Sequence, residues 1–377
     1  MSLVDNAALP EGSLVLVTGA NGMLHCSTFA LSVRRLTEST GYVASHVVEQ
    51  LLLAGYRVRG TTRSLAKIEL LKERWDERYP DQFEVAQVED IVAKGAFDEA
   101  IKGCAGVAHV ASSTTFSTDL DQVLPVAVDG TLNVLRAAAA TPSVKRFVLT
   151  SSIVAIGNPA SPTKLGSDVF NYGSIEAAKS MSNDDPRKGH TVYSSSKTQA
   201  ELAAWKFVRE SKASRPSFVF NVVCPAFCLG EMFDTQHSNH SSAGIMKSFF
   251  LSESDEPLRA FADIEFVSVS DVALLHVGAL LLPEIADKRL VGSAVAGNWN
   301  EVLSIFRRRF PSRSFYPPVA PATAATAATL QCSVDADESI YETGDSLYVV
   351  HRLGKQDGWT GLEEALVQTV SSFALVV

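Results

Sequence analysis

A doubly wound α/β fold, a parallel sheet with helices on both faces and a smaller helix-rich C-terminal region, is predicted by three features of this 377-residue sequence. Short apolar runs recur along it: SLVLVTG, YRVRGTTR, FEVAQVE, GVAHVAS, RFVLTSS and FVFNVVCPA. Runs that are apolar almost throughout suit strands buried on both faces. Between them lie VASHVVEQLLLAG, KIELLKERWDERY, DGTLNVLRAAAA and SKTQAELAAWKFVRE, whose apolar residues fall three and four apart, as crossover helices require. The first strand runs directly into Thr18-Gly19-Ala20-Asn21-Gly22, a glycine-rich turn.

The alternation holds through residue 230, so residues 1–230 read as a nucleotide-binding Rossmann domain. Residues 231–377, with SDVALLHVGALLL and NEVLSIFRRRF, read as a substrate-binding region to which residues 158–192 contribute. Residues 317–340 open on PPVAPATAATAAT, and that Pro/Ala/Thr bias predicts disorder there.

Composition narrows the function. At 46% hydrophobic the chain can bury a large core, and a formal charge of -9 disfavours a general nucleic-acid binder. The densest basic run, Arg307 to Arg309, reads as the solvated end of a helix. A basic leader followed by a long apolar run is not found at the N-terminus, and no stretch of eighteen or more apolar residues occurs, so a cytoplasmic protein with no membrane partner is expected. Cys26, Cys104, Cys224, Cys228 and Cys332 are scattered, which predicts free thiols and no metal site.

The turn after the first strand suits a pyrophosphate, because glycines let backbone amides approach the oxygens and the next helix presents its positive end. The second strand ends in Arg63 where an acid would hold ribose hydroxyls, and an arginine there accommodates a 2′-phosphate. That favours NADP(H) over NAD(H). Lys67 either adds a second charge or is a surface lysine, and Asp90 either meets the adenine or caps a helix.

Tyr193 and Lys197 stand four apart on a helical run, so they share a face. A phenol with a reference pKa of about 10 is a poor acid or base near neutrality until a nearby ammonium stabilises its anion. Tyr193 would protonate a carbonyl oxygen as hydride arrives, while Lys197 would lower the phenol pKa and hold the nicotinamide ribose. A hydroxyl from Ser151 or Ser152, at the end of RFVLTSS, would hold the same oxygen.

In combination TGANG, GVAHVAS, DGTLNVLRAAA, RFVLTSS, YSSSK, NVVCPAFCLG and VSVSDVALLHVGAL resemble the extended short-chain dehydrogenase/reductases of the dihydroflavonol-reductase-like branch, and more closely still the NADPH-dependent aldehyde/carbonyl reductases of red yeasts. The resemblance covers nearly the whole chain. It implies reduction of aldehydes and ketones, a catalytic set of Ser152, Tyr193 and Lys197 with Ser151 less favoured, and a monomer or homodimer. It implies a cofactor site of Thr18, Gly19, Asn21, Gly22, Tyr42, Val43, Arg63, Lys67, Asp90, Ile91, Ala111, Ser112, Tyr193 and Lys197, with Pro225 and Gly230 flanking the nicotinamide. Asn133 stands where the family often carries a helix asparagine.

Three departures are visible. Residues 168–190 lack the acidic-Trp pattern of many relatives, PPVAPATAATAAT has no counterpart, and residues 23–41 split the turn from its helix. Excising 23–41 leaves VLVTGANGYVASHVVEQLL, an unbroken strand, turn and helix. The expectation is that 23–41 is non-coding sequence translated in frame. The alternative is a real surface loop with the turn reformed by Gly41. A long excursion is expected to detach the helix end from the turn and weaken cofactor binding. Two other functions stay open: an NAD-dependent nucleotide-sugar epimerase/dehydratase, against which Arg63 speaks, and a catalytically impaired NADP-binding or scaffold protein, for which the split turn speaks.

Overall fold

The computed structural model describes residues 4–20, 41–112, 116–157, 165–211, 218–235, 241–254, 263–318 and 341–374. Asn21, Gly22, all but the last residue of the 23–41 excursion and nearly all of 317–340 lie outside the described residues.

All six expected strands form: β1 (Leu14–Thr18), β2 (Arg57–Thr62), β3 (Phe83–Gln87), β4 (Gly106–His109), β5 (Arg146–Thr150) and β6 (Val219–Pro225). A seventh, β9 (Arg289–Gly292), completes a parallel sheet in the order β3-β2-β1-β4-β5-β6-β9. The register places Val15 beside both Val58 and Gly106, and Val222 beside Arg289. β1, β4 and β5 are buried at every position, which is why their sequences show no alternation.

Helices α1 (Tyr42–Leu53), α2 (Leu65–Arg78), α3 (Leu120–Ala140) and α5 (Lys188–Ser211) are the expected crossovers, and α4 (Tyr172–Ser180) packs on α5. Two of them begin earlier than the sequence patterns. α3 starts nine residues ahead of Asp129, because the Asp119 carboxylate accepts the amides of Asp121 and Gln122; Pro125 lies inside the helix, in its second turn, and gives up the intrahelical bond to the Asp121 carbonyl. α5 starts at Lys188, whose ammonium is buried against the carbonyls of Ala178 and Met181 at the end of α4. α3 also has the length and apolarity of a membrane span. It carries Asp129 and Arg136, and it packs along α5.

The C-terminal region contributes a second sheet, β10 (Val295–Asn298), β8 (Asp263–Ser268) and β7 (Phe227–Leu229), with α6 (Ser242–Phe250), α8 (Trp299–Arg309) and α10 (Leu362–Ala374) around it. Phe250 sits at the centre of an aromatic cluster with Phe306, Phe310, Phe315 and Phe373. The division expected at residue 230 is crossed twice. β9 returns to the large sheet, and α7 (Val269–Leu281) packs on α1, β5 and β6, with α9 (Gly344–Arg352) against its outer side. Arg308 and Arg309, in the last turn of α8, are solvated and paired with Glu363.

Candidate active site

β1 has β2 on one side and β4 on the other, so the crossovers diverge above its carboxyl end and leave a crevice there. Thr18 is buried at that point. Its hydroxyl oxygen accepts the amides of Val110 and Ala111, both at 3.1 Å, and lies 2.8 Å from His109 Nδ1. Having accepted twice, the hydroxyl gives its proton to that nitrogen. Burial, with Lys197 nearby, pulls the His109 pKa down to about 3, so the ring is neutral and can receive it. Thr18 therefore staples β1 to β4 and fixes the crevice from inside.

Gly19 follows with φ +74, and a Cβ there would come within 3.0 Å of the Ala111 Cα, so the turn needs glycine twice over. Its amide donates to Thr61 Oγ1 at 3.1 Å and that of Ala20 to the Thr61 carbonyl at 2.9 Å. Gly41 then re-enters against Gly19, with so little room that a Cβ would strike the Gly19 carbonyl oxygen. The expected detachment of the helix end is thus corrected. Gly41 lies against Gly19 and Ala20, and α1 begins at Tyr42 beside the turn with no side chain among the described residues capping its first amides. Tyr42 and Val43 occupy that first turn, and the Tyr42 hydroxyl donates to the Gly230 carbonyl at 3.0 Å. Gly230, at φ +140, is held by Thr369 through its amide at 2.7 Å.

Arg63 lies immediately past β2 and Lys67 in the first turn of α2, both half-buried. Asp90 Oδ1 accepts the Val92 amide at 3.0 Å at the head of a run of turns, so it does not cap a helix as one alternative had it. Ile91 is buried against Gly130 of α3, and Asn133 Nδ2 donates to the carbonyls of Ile91 at 2.9 Å and Ala93 at 2.7 Å. Asn133 thus clamps the segment after β3. Ile91, Ala111, Ser112, Thr150 and Lys197 line one pocket. A glycine turn at the end of β1, helix amides with no side-chain cap among the described residues and two basic side chains just beyond β2 fit a phosphorylated dinucleotide.

At the carboxyl end of β5 the two serines diverge. Ser151 Oγ donates to the buried Glu201 at 2.7 Å, and both residues line the same pocket as Lys197. Ser152 accepts the Val154 amide at 3.4 Å, and its hydroxyl is near enough to Tyr193 to lower the phenol pKa. Lys197 Nζ donates to the Thr150 carbonyl at 3.3 Å and stands 6.0 Å from the Tyr193 ring centroid. Thr150 is itself held, its hydroxyl 2.7 Å from Nε2 of the buried His276. Pro225, ending β6, accepts from Ser152 at 3.5 Å. The expected lowering of the phenol pKa is reversed. Burial pushes Tyr193 up to about 12, the Ser152 hydroxyl opposing, and pulls Lys197 down to about 8, with Cys224 and Glu201 opposing. Tyr193 is consequently a protonated phenol and Lys197 an ammonium at neutral pH.

Sequence reasoning missed His109, Thr61, His276 and the Glu201–Arg289 pair. His109 had a signal, a lone polar residue inside the apolar run GVAHVAS, and Glu201 had one in its four-residue spacing from Lys197. Thr61 and His276 act through partners remote in sequence and had none. Among the described residues no cluster of His, Cys, Asp and Glu could hold a metal.

Residues 92–252 match the NAD-binding family model described as male sterility protein. The chain is 45% identical over 375 residues to aldehyde reductase 2 of Sporidiobolus salmonicolor, covering 99% of each. It is 35% identical to NAD-dependent epimerase/dehydratase terH of Aspergillus terreus, over 98% of this chain and 99% of that one. Yeast methylglyoxal/isovaleraldehyde reductase Gre2, solved in complex with NADPH, is similar in structure with a TM-score of 0.74 and 25% identity, covering 96% of this chain and 99% of Gre2.

Proposed function

The chain belongs to the extended short-chain dehydrogenase/reductase family, and from that premise we propose that it reduces aldehydes and ketones to alcohols with NADPH, with Ser152, Tyr193 and Lys197 as the catalytic set. NADPH bound in the crevice supplies the hydride that the carbonyl carbon receives. Thr18 and Gly19 shape the turn for the pyrophosphate, the first amides of α1 face it, and Arg63 with Lys67 takes the 2′-phosphate. Ser152 holds the carbonyl oxygen through its hydroxyl. Tyr193 gives that oxygen its phenolic proton, and the Lys197 ammonium stabilises the phenolate left behind. Turnover is completed when Tyr193 recovers a proton from solvent.

One observation carries this reading: Tyr193 and Lys197 lie together on α5, Nζ 6.0 Å from the ring centroid, with Lys197 tied to Thr150 two residues before Ser152 at the carboxyl edge of the sheet. Substrate is a small carbonyl compound whose apolar part meets Phe116, which is half exposed and stacks edge-on to Tyr193 at 5.4 Å. The three described cysteines are free and buried, which supports a cytosolic location. A monomer or homodimer is the assembly we assign. The epimerase/dehydratase reading is the more distant one, since Arg63 occupies the position where an acid would select NAD.

Tyr193→Phe is the test. NADPH oxidation with an aldehyde should fall about 1000-fold, in the range expected for a lost general acid. NADPH binding followed by nicotinamide fluorescence should persist. Full activity in that variant would remove Tyr193 from its role.

A further inference from the structure

We propose that Glu201 and Arg289 act as a positioning pair that locks the catalytic lysine and the serine-bearing strand end to the segment beside the carbonyl site; this rests on the reduction reading above. Arg289 belongs to β9 and Glu201 to α5, one turn beyond Lys197. Their side chains are 5% and 0% exposed. Arg289 Nη2 donates to Glu201 Oε2 at 3.2 Å, and Nε lies 2.6 Å from Oε1 as a close charge contact without hydrogen-bond alignment. Nη1 donates at 2.6 Å to the carbonyls of both Ser167 and Val169, and the guanidinium lies 4.1 Å from the Phe170 ring. The same carboxylate accepts from Ser151 Oγ at 2.7 Å and from Trp205 Nε1 at 3.1 Å.

Segment 165–171 is tied a second time. Asn171 donates from Nδ2 to the Val154 carbonyl at 2.8 Å and from its amide to that of Ala155 at 2.9 Å, in the turn directly after Ser152. One ion pair therefore joins β5, α5, β9 and the segment flanking the catalytic serine. Burying two charges costs more than packing two apolar side chains of equal volume, so stability alone does not account for the pair.

Charge gives it a second effect. The groups facing Lys197 are Tyr193 and Glu201 on its own helix, the Thr150 carbonyl on β5, Cys224 on β6 and His109 on β4. Burial pushes the Cys224 thiol up to about 12 and pulls His109 down to about 3, while Tyr193 stands at about 12. Of these groups Glu201 is the one carboxylate, and it opposes the fall of the Lys197 pKa on burial. Arg289 is held by the same carboxylate on its other side.

Glu201→Gln keeps the shape and removes the charge. Titration of Lys197 Nζ in the apoenzyme, followed by NMR with ¹⁵N-labelled lysine, should move to lower pH by about one unit, as for loss of an opposite charge nearby. The alkaline limb of kcat/KM should move with it, while NADPH affinity at pH 6 stays as in the wild type. An unchanged Lys197 midpoint overturns the proposal. Should the unpaired Arg289 prevent folding, Glu201→Gln combined with Arg289→Met removes the orphan charge, and a smaller displacement in the same direction is expected, because a more distant cation leaves with the carboxylate; a wild-type midpoint again overturns it. A displaced midpoint in a chain that reduces no carbonyl would leave the pair standing and refute the reduction reading instead.

Discussion

Ser151 and Ser152 show what one residue of difference decides at the end of a strand. Successive side chains point to opposite faces, so one hydroxyl goes to the buried Glu201 and the other toward Tyr193. The sequence pattern named the pair of serines, and the family resemblance chose Ser152. The physical reason for that choice became visible only with Glu201, fifty residues away. Tyr193 and Lys197 were legible because helical spacing alone brings them together. The direction of the phenol pKa was not, since burial by distant elements outweighs a neighbour on the same helix. Arg63 is legible in the same local way as Tyr193, being the residue that follows the last of β2. A 2′-phosphate would take about two charge-assisted hydrogen bonds from it, each about 1.5 to 3 kcal/mol. Arg63→Ala should therefore cut the preference for NADPH over NADH by at least about 100-fold, measured as the ratio of kcat/KM values with one aldehyde. An unchanged ratio would move the phosphate site elsewhere.

Elements that pack through their own periodicity were read correctly from their sequences, and those that depend on a cap were read short. α3 and α5 are the cases, because Asp119 and the Lys188 contacts extend them upstream of their apolar patterns. The split turn poses the opposite problem, a local interruption that the tertiary fold absorbs. Ala20 and Gly41 meet at the base of the excursion, so α1 is already seated by Gly19, the Tyr42 hydroxyl bond to Gly230, and Phe233 stacked on His46 at 4.1 Å. Closing a loop of this length adds little entropy cost once its ends are held together. A chain lacking residues 23–41 should consequently fold with an unchanged or higher melting temperature, and bind NADPH at least as tightly as the full chain. Weaker NADPH binding by the shortened chain, measured by fluorescence titration, would show that the excursion itself serves the cofactor.

At the scale of the whole molecule, the boundary read at residue 230 describes where the alternating pattern stops and not where packing stops. β9 is four residues long, too short to announce itself, and its place in the sheet is fixed by pairing with β6 over a separation of more than sixty residues. α7 is buried on nearly every side, between α1, β5, β6 and α9. The deepest tie is Arg146, whose Nη2 donates to the carbonyls of Ala279 at 2.9 Å, Leu282 at 2.7 Å and Ile285 at 2.6 Å. Asn221 Nδ2 reaches two of the same carbonyls, those of Ala279 and Ile285, at 2.8 and 3.0 Å. Cutting the chain after residue 230 would strip Arg146 of these acceptors at a cost of about 3 to 5 kcal/mol if it stayed buried. It would also leave β6 as an open edge and uncover the apolar face of α1. Those losses together approach the whole stability of an ordinary domain, about 5 to 15 kcal/mol. Residues 1–230 expressed alone should therefore be insoluble or melt without a cooperative transition, while the full chain melts in one step. A soluble fragment with a sharp thermal transition and measurable NADPH affinity would mean that the nucleotide-binding half stands without the strand and helix it receives from beyond residue 230.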